Sequence, residues 1–307
     1  MLNDIQKKIL QEVADMTGIP DGAVNIRSDG QKEYRQNSAH ITIESKTDKD
    51  GIDIRIAPFT KNENVHIPVV LTKSGFQDMV YNDFFVGEGA DVRIVAGCGI
   101  HNCGDCDSQH DGIHTFYIGK NAKVTYIEKH YGEGEGRGKR ILNPKTIVYL
   151  EEGASIIMET SQIAGVDDTK RYTKVVAEGA GSEVQITEKL LTDSDQHAIS
   201  EMDVILNGEG SRTRVISRSV AKGSSTQLFY PRVQGNGPCF GHVSCDAIIM
   251  NEAKVRAIPE ISCNHVDAAL IHEAAIGRIA GEQILKLETL GLTPEEAEEK
   301  ILEGFLR

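Results

Sequence analysis

The chain has 307 residues and a formal net charge of −13, and aromatic residues make up only 5% of it, without any Trp. This acidity argues against a protein that follows a nucleic-acid backbone, which would need a basic face. No apolar run is long enough to span a membrane and the polar start does not match a signal peptide, so we expect a cytoplasmic protein. In that reducing compartment, the six cysteines favour metal or thiol chemistry over structural disulfides.

The first predicted element is an amphipathic helix within residues 2–17. Its apolar face consists of Ile5, Ile9, Leu10 and Val13. Gly18 follows as a typical end of a helix. We therefore assign residues 1–35 to an N-terminal helical segment.

A repeated pattern then runs through residues 36–266. Each copy has a turn containing Gly or Asn, a small residue and a strand with alternating apolar positions. The small residues are Ala90, Ala122, Ala154, Gly181, Ser211 and Ala253, separated by steps of 32, 32, 27, 30 and 42. Two short strands per period of about thirty residues predict a coil that stacks on itself, a right-handed parallel β-helix. A β-sandwich is the alternative, because it also consists of short strands and turns.

Residues 267–307 are predicted to form a C-terminal helical region. A first helix is expected over residues 268–290, ending at Gly291, and a second begins at Thr293 with a capping-box pattern. The apolar positions of the second helix are Ile301, Leu302, Phe305 and Leu306. The pair could cap the solenoid or dock a partner, and the sequence alone favours the cap.

A first group of metal-ligand residue types lies in the middle of the repeats. It consists of Cys98, His101, Cys103, Cys106, His110 and His114. The C-x4-C-x2-C spacing is similar to the first three ligands of plant-type ferredoxins. The hypothesis is an iron–sulfur cluster or an iron-entry site, in addition to the site near the C-terminus described below. The alternatives are a zinc site that staples the loop and a surface turn with incidental thiols.

The glycine-rich run at residues 132–140 does not fit a nucleotide-binding loop. Glu133 stands where a Walker A motif needs Gly, and Arg140 replaces its Ser or Thr. We interpret the run as a flexible loop.

A second group of thiol, imidazole and carboxylate residues lies near the C-terminus. Its motifs are Ser244-Cys245-Asp246-Ala247, Ile258-Pro259-Glu260-Ile261, His272-Glu273-Ala274, Gly277-Arg278-Ile279, Glu282-Gln283, residues 291–297 and Glu303-Gly304-Phe305. Thiolate, imidazole and carboxylate together suit iron or zinc better than hard cations. Order and spacing of these motifs resemble the SufB/SufD scaffold proteins of the SUF iron–sulfur cluster assembly system.

The resemblance implies a β-helix with helical ends that works as an assembly scaffold and not as an enzyme. It implies a nascent iron–sulfur cluster, with its iron, held near Cys245, with His272 and Glu273 as further ligands, and it places Cys263 near an additional thiol position of some relatives. It also implies that a SufC-like ABC ATPase docks on the C-terminal helices. A site with few thiolates is chemically sensible, because a scaffold must release its product.

The chain departs from the common SufB by its shorter N-terminal region, and it is similar to the compact archaeal-type members. We therefore expect it to pair with itself through the β-helix as a homodimer, with Cys245 and His272 of both copies near one axis. Two other functions stay open from the residues alone. One is a β-helix enzyme that acts on polysaccharides, and the other is an ATPase-docking adaptor without metal.

Overall fold

The computed structural model describes residues 2–306. It consists mainly of strands, with one helix near the start and two near the end. The helices are α1 (Asp4–Ala14), α2 (Gly281–Glu288) and α3 (Pro294–Leu306). The first strands are β1 (Ala23–Ser28), β2 (Gln31–Gln36), β3 (Ile41–Ser45), β4 (Gly51–Ile56), β5 (Lys61–His66), β6 (Val69–Leu71), β7 (Gln77–Val86), β8 (Asp91–His101), β9 (Ser108–Ile118), β10 (Lys123–Glu133) and β11 (Arg140–Leu142). The remaining strands are β12 (Lys145–Leu150), β13 (Ser155–Ala164), β14 (Asp168–Ala177), β15 (Glu183–Thr192), β16 (His197–Leu206), β17 (Ser211–Ala221), β18 (Thr226–Gly235), β19 (Cys239–Ile249), β20 (Lys254–Ala257), β21 (Glu260–Cys263) and β22 (Ala268–Gly277).

Successive long strands alternate between two sheets, and each pairs in parallel with the strand one coil earlier. The first sheet follows the order β2-β1-β5-β8-β10-β13-β15-β17-β19-β22, and the second follows β20-β18-β16-β14-β11-β9-β7-β4-β3. Within the described residues, the recorded antiparallel pairings are β1 with β2 and β3 with β4. The predicted parallel β-solenoid is confirmed, with about eight turns.

One corner of the solenoid explains the sequence period. At this corner a residue with positive φ precedes a buried small residue in every coil from Ala90 to Ser211, as in Gly153 before Ala154. Such turns favour Gly and Asn because other side chains are strained there. The buried corner positions are Ala90, Ala122, Ala154, Ser182, Ser211 and Cys239. Ser182 and not Gly181 is therefore the repeated small residue, and the steps from Ala154 onward become 28, 29 and 28. Ala253 belongs to the opposite corner, beside Ser225, which is why its predicted step was too long.

The predicted N-terminal helix is confirmed as α1, which covers the outer face of β8 and β10. It ends earlier than predicted, because Asp15 and not Gly18 is its left-handed C-cap. Asn3 caps it through a reciprocal hydrogen-bond pair with Gln6. Ile9 and Val13 are buried against the sheet, whereas Ile5 is 40% exposed. The helix can approach closely because Gly97 and Gly99 on β8 have no side chains beneath it. A methyl group on Gly99 would come 2.1 Å from Ile9 Cγ2.

The prediction of a helix over residues 268–290 is wrong for the first half of that range. Ala268–Gly277 is strand β22, which pairs in parallel with β19 over its whole length, and only Gly281–Glu288 is helical. The open edge of β19 offers this segment a ladder of backbone partners, a non-local interaction that overrides local helix preference. The second helix is confirmed as α3, which buries Ala297 and Leu302.

The C-terminal helices do not cap the solenoid, contrary to the favoured prediction. Phe305 O of α3 accepts a hydrogen bond from Arg218 Nη1 on β17 at 3.2 Å, and Ile301 and Phe305 line a groove with outward-facing residues of β19. The helices therefore lie beside the first sheet, and the inward-facing Ile261 of the last coil stays 39% exposed. Among the described residues, no helix combines the length and apolar character needed to cross a membrane.

Candidate functional site

The structure brings Cys245 and His272 together at the uncovered end of the solenoid. Cys245 faces the interior from β19. His272 faces the interior from β22, where it pairs with Val243, two residues before Cys245. Cys245 Sγ lies 3.3 Å from His272 Nε2. Cys245 is only 4% exposed, whereas His272 is half-buried because no further coil covers it in the described chain. The imidazole therefore lies between the thiol and the open end.

Both groups have perturbed acidity. Burial raises the pKa of the Cys245 thiol to about 12, and the negative charges of Asp246 and Glu188 add to this effect. The pKa of His272 is lowered, chiefly by burial and further by the neighbouring His242, although Glu273 opposes this. At neutral pH the pair is therefore a thiol beside a neutral imidazole, which can accept the thiol proton or bind a metal.

Glu273 does not join this pair in one copy of the chain. Adjacent residues of a strand point to opposite faces, so Glu273 faces outward where His272 faces inward. Glu273 Oε1 lies 3.0 Å from Nε2 of His242, another outward-facing residue. The Cys245–His272–Glu273 set was implied by the family resemblance, and strand β22 places His272 and Glu273 on opposite faces of the sheet.

Cys263 lies near a different thiol. It pairs with Gly235, and a methyl group on Gly235 would come 2.7 Å from Cys239 Sγ. Burial raises the pKa of Cys239, and proximity to Cys263 contributes. Cys239 and Cys245 are six residues apart on β19, or about 20 Å in an extended strand. Sequence reasoning did not single out Cys239, whose only signal was its place at the repeated corner.

The predicted group between Cys98 and His114 is divided by the fold. Cys98 and His110 are buried inside the solenoid, and Cys103 and Cys106 are exposed on the turn between β8 and β9. His114 is committed elsewhere in the interior, with Nδ1 2.7 Å from Tyr126 Oη. Across residues 2–306, no cluster of three or more His, Cys, Asp or Glu side chains is arranged to hold a metal ion.

The sequence profile of the "SUF system FeS cluster assembly, SufBD core domain" matches residues 72–305. The chain belongs to the SufBD family. Its role therefore lies in iron–sulfur cluster assembly.

Archaeal relatives cover most of this SufBD chain. An iron–sulfur cluster assembly SufBD family protein of Archaeoglobus fulgidus is 31% identical over 286 residues, which is 90% of this chain and 73% of the relative. One from Methanocaldococcus jannaschii is 26% identical over 275 residues, 88% of this chain and 86% of the relative. One from Methanothermobacter thermautotrophicus is 28% identical over 229 residues, 74% of this chain and 54% of the relative.

The interior of this SufBD solenoid carries ionisable groups that the sequence analysis missed. Cys98 lies between two imidazoles: although burial raises its pKa, the charges and hydrogen bonds of His110 and His130 lower it below the usual value. Burial acts to lower the pKa of His110, but Cys98 and Asp78 outweigh it and raise that pKa. Each group thus favours the charged form of the other, thiolate for Cys98 and imidazolium for His110.

A buried arginine continues this polar interior. Arg171 Nη1 donates to Glu128 at 2.8 Å, and its Nε lies 3.6 Å from Glu188. Glu188 and Cys245 are separated along the sheet ladder by a single residue, Ser217. The sequence contained a signal for this polar interior. Glu128 and other charged residues stand at alternating positions of a strand that continue a series of inward-facing apolar residues.

The glycine-rich run of this SufBD chain is an ordered platform and not the flexible loop that was predicted. Gly136 N donates to Asn102 O at 3.1 Å, and Gly138 N donates to Gly104 O at 2.9 Å. Methyl groups at either glycine would collide with the backbone of the preceding coil. The alternating glycines therefore let this loop stack directly on the turn that carries Cys103 and Cys106.

Proposed function

We propose that this SufBD chain is a scaffold on which iron and sulfide are assembled at the open end of the solenoid. The observation that supports this most strongly is the contact of Cys245 Sγ with His272 Nε2 at 3.3 Å in the uncovered last coil. The nascent cluster is the product and not a resident cofactor. A ligand set poor in thiolate would hold it firmly enough for assembly and loosely enough for transfer.

A second copy of the chain would complete the ligand set. One copy offers a thiol and an imidazole at this end, and an isologous contact between two open ends would offer two of each. Glu273, outward-facing in one copy, and the exposed Cys263 would then be candidates to contribute from the rim. Exposed apolar side chains at this end, including Ile261 and Val266, support such a contact.

The test of the site is anaerobic reconstitution with ferrous iron and sulfide. Cys245→Ser is expected to lower the retained iron and the visible absorption by at least several-fold, because a hydroxyl is a poor ligand for this metal. Ser244→Ala is the matched control, since Ser244 is the neighbour on β19 that faces outward. Wild-type iron content in the Cys245 variant would rule out this site.

We further propose that the C-terminal helices bind an ABC-type ATPase, and that ATP hydrolysis occurs in that partner. Helix α2 buries none of its side chains, and Leu285 is 60% exposed. Leu285→Asp should abolish co-purification with such an ATPase. Ile19→Asp, which changes an exposed apolar residue near the N-terminus, should not. Equal retention of the ATPase by both variants would contradict the assignment.

A further inference from the structure

A thiol, an imidazole and a carboxylate form a chain on the outer surface, remote from the solenoid's open end. Cys103 Sγ lies 3.0 Å from His101 Nε2, and His101 Nδ1 lies 3.1 Å from Glu133 Oε1. His101 and Glu133 are paired end residues of β8 and β10. Lys8 and Tyr131 hold the other carboxylate oxygen of Glu133. This order of groups is the one that activates a nucleophilic side chain through an oriented base.

The carboxylate is kept ionised for this role. Partial burial raises the pKa of Glu133, but hydrogen bonds from Lys8, Tyr131 and His101 outweigh it and lower that pKa below its ordinary value. A carboxylate that accepts from one imidazole nitrogen favours the tautomer whose other nitrogen can accept a proton. His101 Nε2 therefore presents its lone pair to the Cys103 thiol.

A second thiol follows on the same rigid turn. Cys106 is exposed, three residues after Cys103, in a C-x2-C arrangement. The side chain of the fully buried Asn102 closes the turn: its Oδ1 accepts from Gly104 N, and its Nδ2 donates to Cys106 O at 2.8 Å. Ser74 holds the Cys106 backbone from the other side. The turn is thus fixed on both sides and stacked on the glycine platform, while both sulfur atoms stay open to solvent.

We propose that Cys103 and Cys106 form a thiol–disulfide exchange site for disulfide-containing molecules. Cys103 is the attacking thiol, His101 is its base, Glu133 is the positioning residue and Cys106 is the resolving thiol. The site is separate from Cys245, so it is tested independently of the cluster site.

The exchange is balanced in two steps. His101 takes the Cys103 proton, and the thiolate attacks one sulfur of the disulfide, which forms a mixed disulfide and releases one thiolate. Cys106 then gives its proton to the first released thiolate and attacks Cys103 Sγ, which forms the Cys103–Cys106 disulfide and releases the second thiolate. The two cysteines lose two electrons, and the incoming disulfide gains them.

The experiment treats the full-length reduced protein anaerobically with an aromatic disulfide that releases a coloured thiol. Peptide mapping is expected to find a Cys103–Cys106 disulfide in the wild type and a trapped mixed disulfide on Cys103 in Cys106→Ser. His101→Gln should slow the reaction of Cys103 about tenfold or more, because it removes the base. Glu133→Gln should slow it by a smaller factor.

The internal reference is the alkylation rate of Cys106 and of the exposed Cys263 in the same samples. In His101→Gln and Glu133→Gln these rates should stay unchanged while that of Cys103 falls, which a general loss of structure would not produce. The proposal is overturned if Cys103 reacts no faster than Cys106, or if the two thiols never join. It is also overturned if stoichiometric zinc or iron binds the wild type, protects both thiols and is lost in Cys103→Ser.

Discussion

At the proposed cluster site, the buried side chain of Cys245 would couple proton release to metal binding. Its thiol has a pKa of about 12, so it is protonated throughout the neutral range. Iron needs the thiolate, and binding must therefore release the proton. His272, whose pKa is lowered, is already neutral at and above pH 7 and releases none there. If iron binds at the proposed site, one thiol per chain sets the pH dependence of the first binding event.

We predict that the apparent affinity for ferrous iron rises about tenfold for each unit of pH between about pH 7 and about pH 9. The direction follows because the bound state holds one proton fewer than the free state, so a lower proton concentration favours binding. Anaerobic titration with a competing chelator measures it. The Cys245→Ser variant should show a flat profile at weaker affinity, and an equally steep profile in that variant would contradict the assignment.

At the scale of elements, α1 depends on two positions without side chains. Gly97 lies directly beneath the helix, and a methyl group there would come 2.2 Å from the carbonyl oxygen of Val13. Backbone cannot move aside as a flexible side chain can, so the helix must shift as a unit. The apolar contacts of Ile9 and Val13 would then be loosened together.

We expect Gly97→Ala to lower the free energy of unfolding by about 1–3 kcal/mol, the usual cost of overpacking. Gly304→Ala in α3 is the matched control, because no atom lies within 4 Å of the added methyl group. That change should be neutral or stabilise the helix by up to about 1 kcal/mol. Urea unfolding followed by circular dichroism distinguishes them. Equal stability of the two variants would show that α1 does not pack as closely as described.

For the whole molecule, the uncovered last coil is the main place where the interior of the solenoid is exposed. A solenoid normally ends in a polar cap, because each coil buries its inner face only against its neighbours. Here the inward-facing Ile261 and His272 are left accessible, and the edge of β22 has unpaired backbone groups in the described chain. An open edge of this kind is a template for pairing with another chain.

We predict that Ile261→Lys converts the proposed homodimer into a monomer, since it places a charge in the inner face of the last coil. Ile157→Lys is the control: Ile157 is 40% exposed against 39% for Ile261, but it lies on the outer face in the middle of the solenoid. Light scattering coupled to size-exclusion chromatography measures the mass. A dimer that persists in the Ile261 variant would place the pairing surface elsewhere.

Much of this architecture was accessible from the sequence, because the corner turns repeat with a local signal that needs no tertiary information. The closeness of Cys245 and His272 followed from the family resemblance. Strand β22 was missed because its partner, β19, is non-local. The opposite directions of His272 and Glu273 were missed for the same reason, since a strand sends consecutive side chains to opposite faces. The glycine platform was missed because backbone stacking between coils leaves no pattern in one segment alone.

Because every coil pairs with its neighbour through the same strand-to-strand spacing, the distance between two coils along the axis is fixed by the number of strands between them. Five strand-to-strand steps separate β8, which carries Cys98, from β19, which carries Cys245. At about 4.8 Å for each step, the two coils lie about 24 Å apart along the axis. Removal of one complete coil, residues 123–154, would shorten this distance by one strand-to-strand step. The inward and outward directions of the side chains in the remaining strands would not change. The length of such a molecule can therefore change only in whole increments if both ends are to keep their alignment.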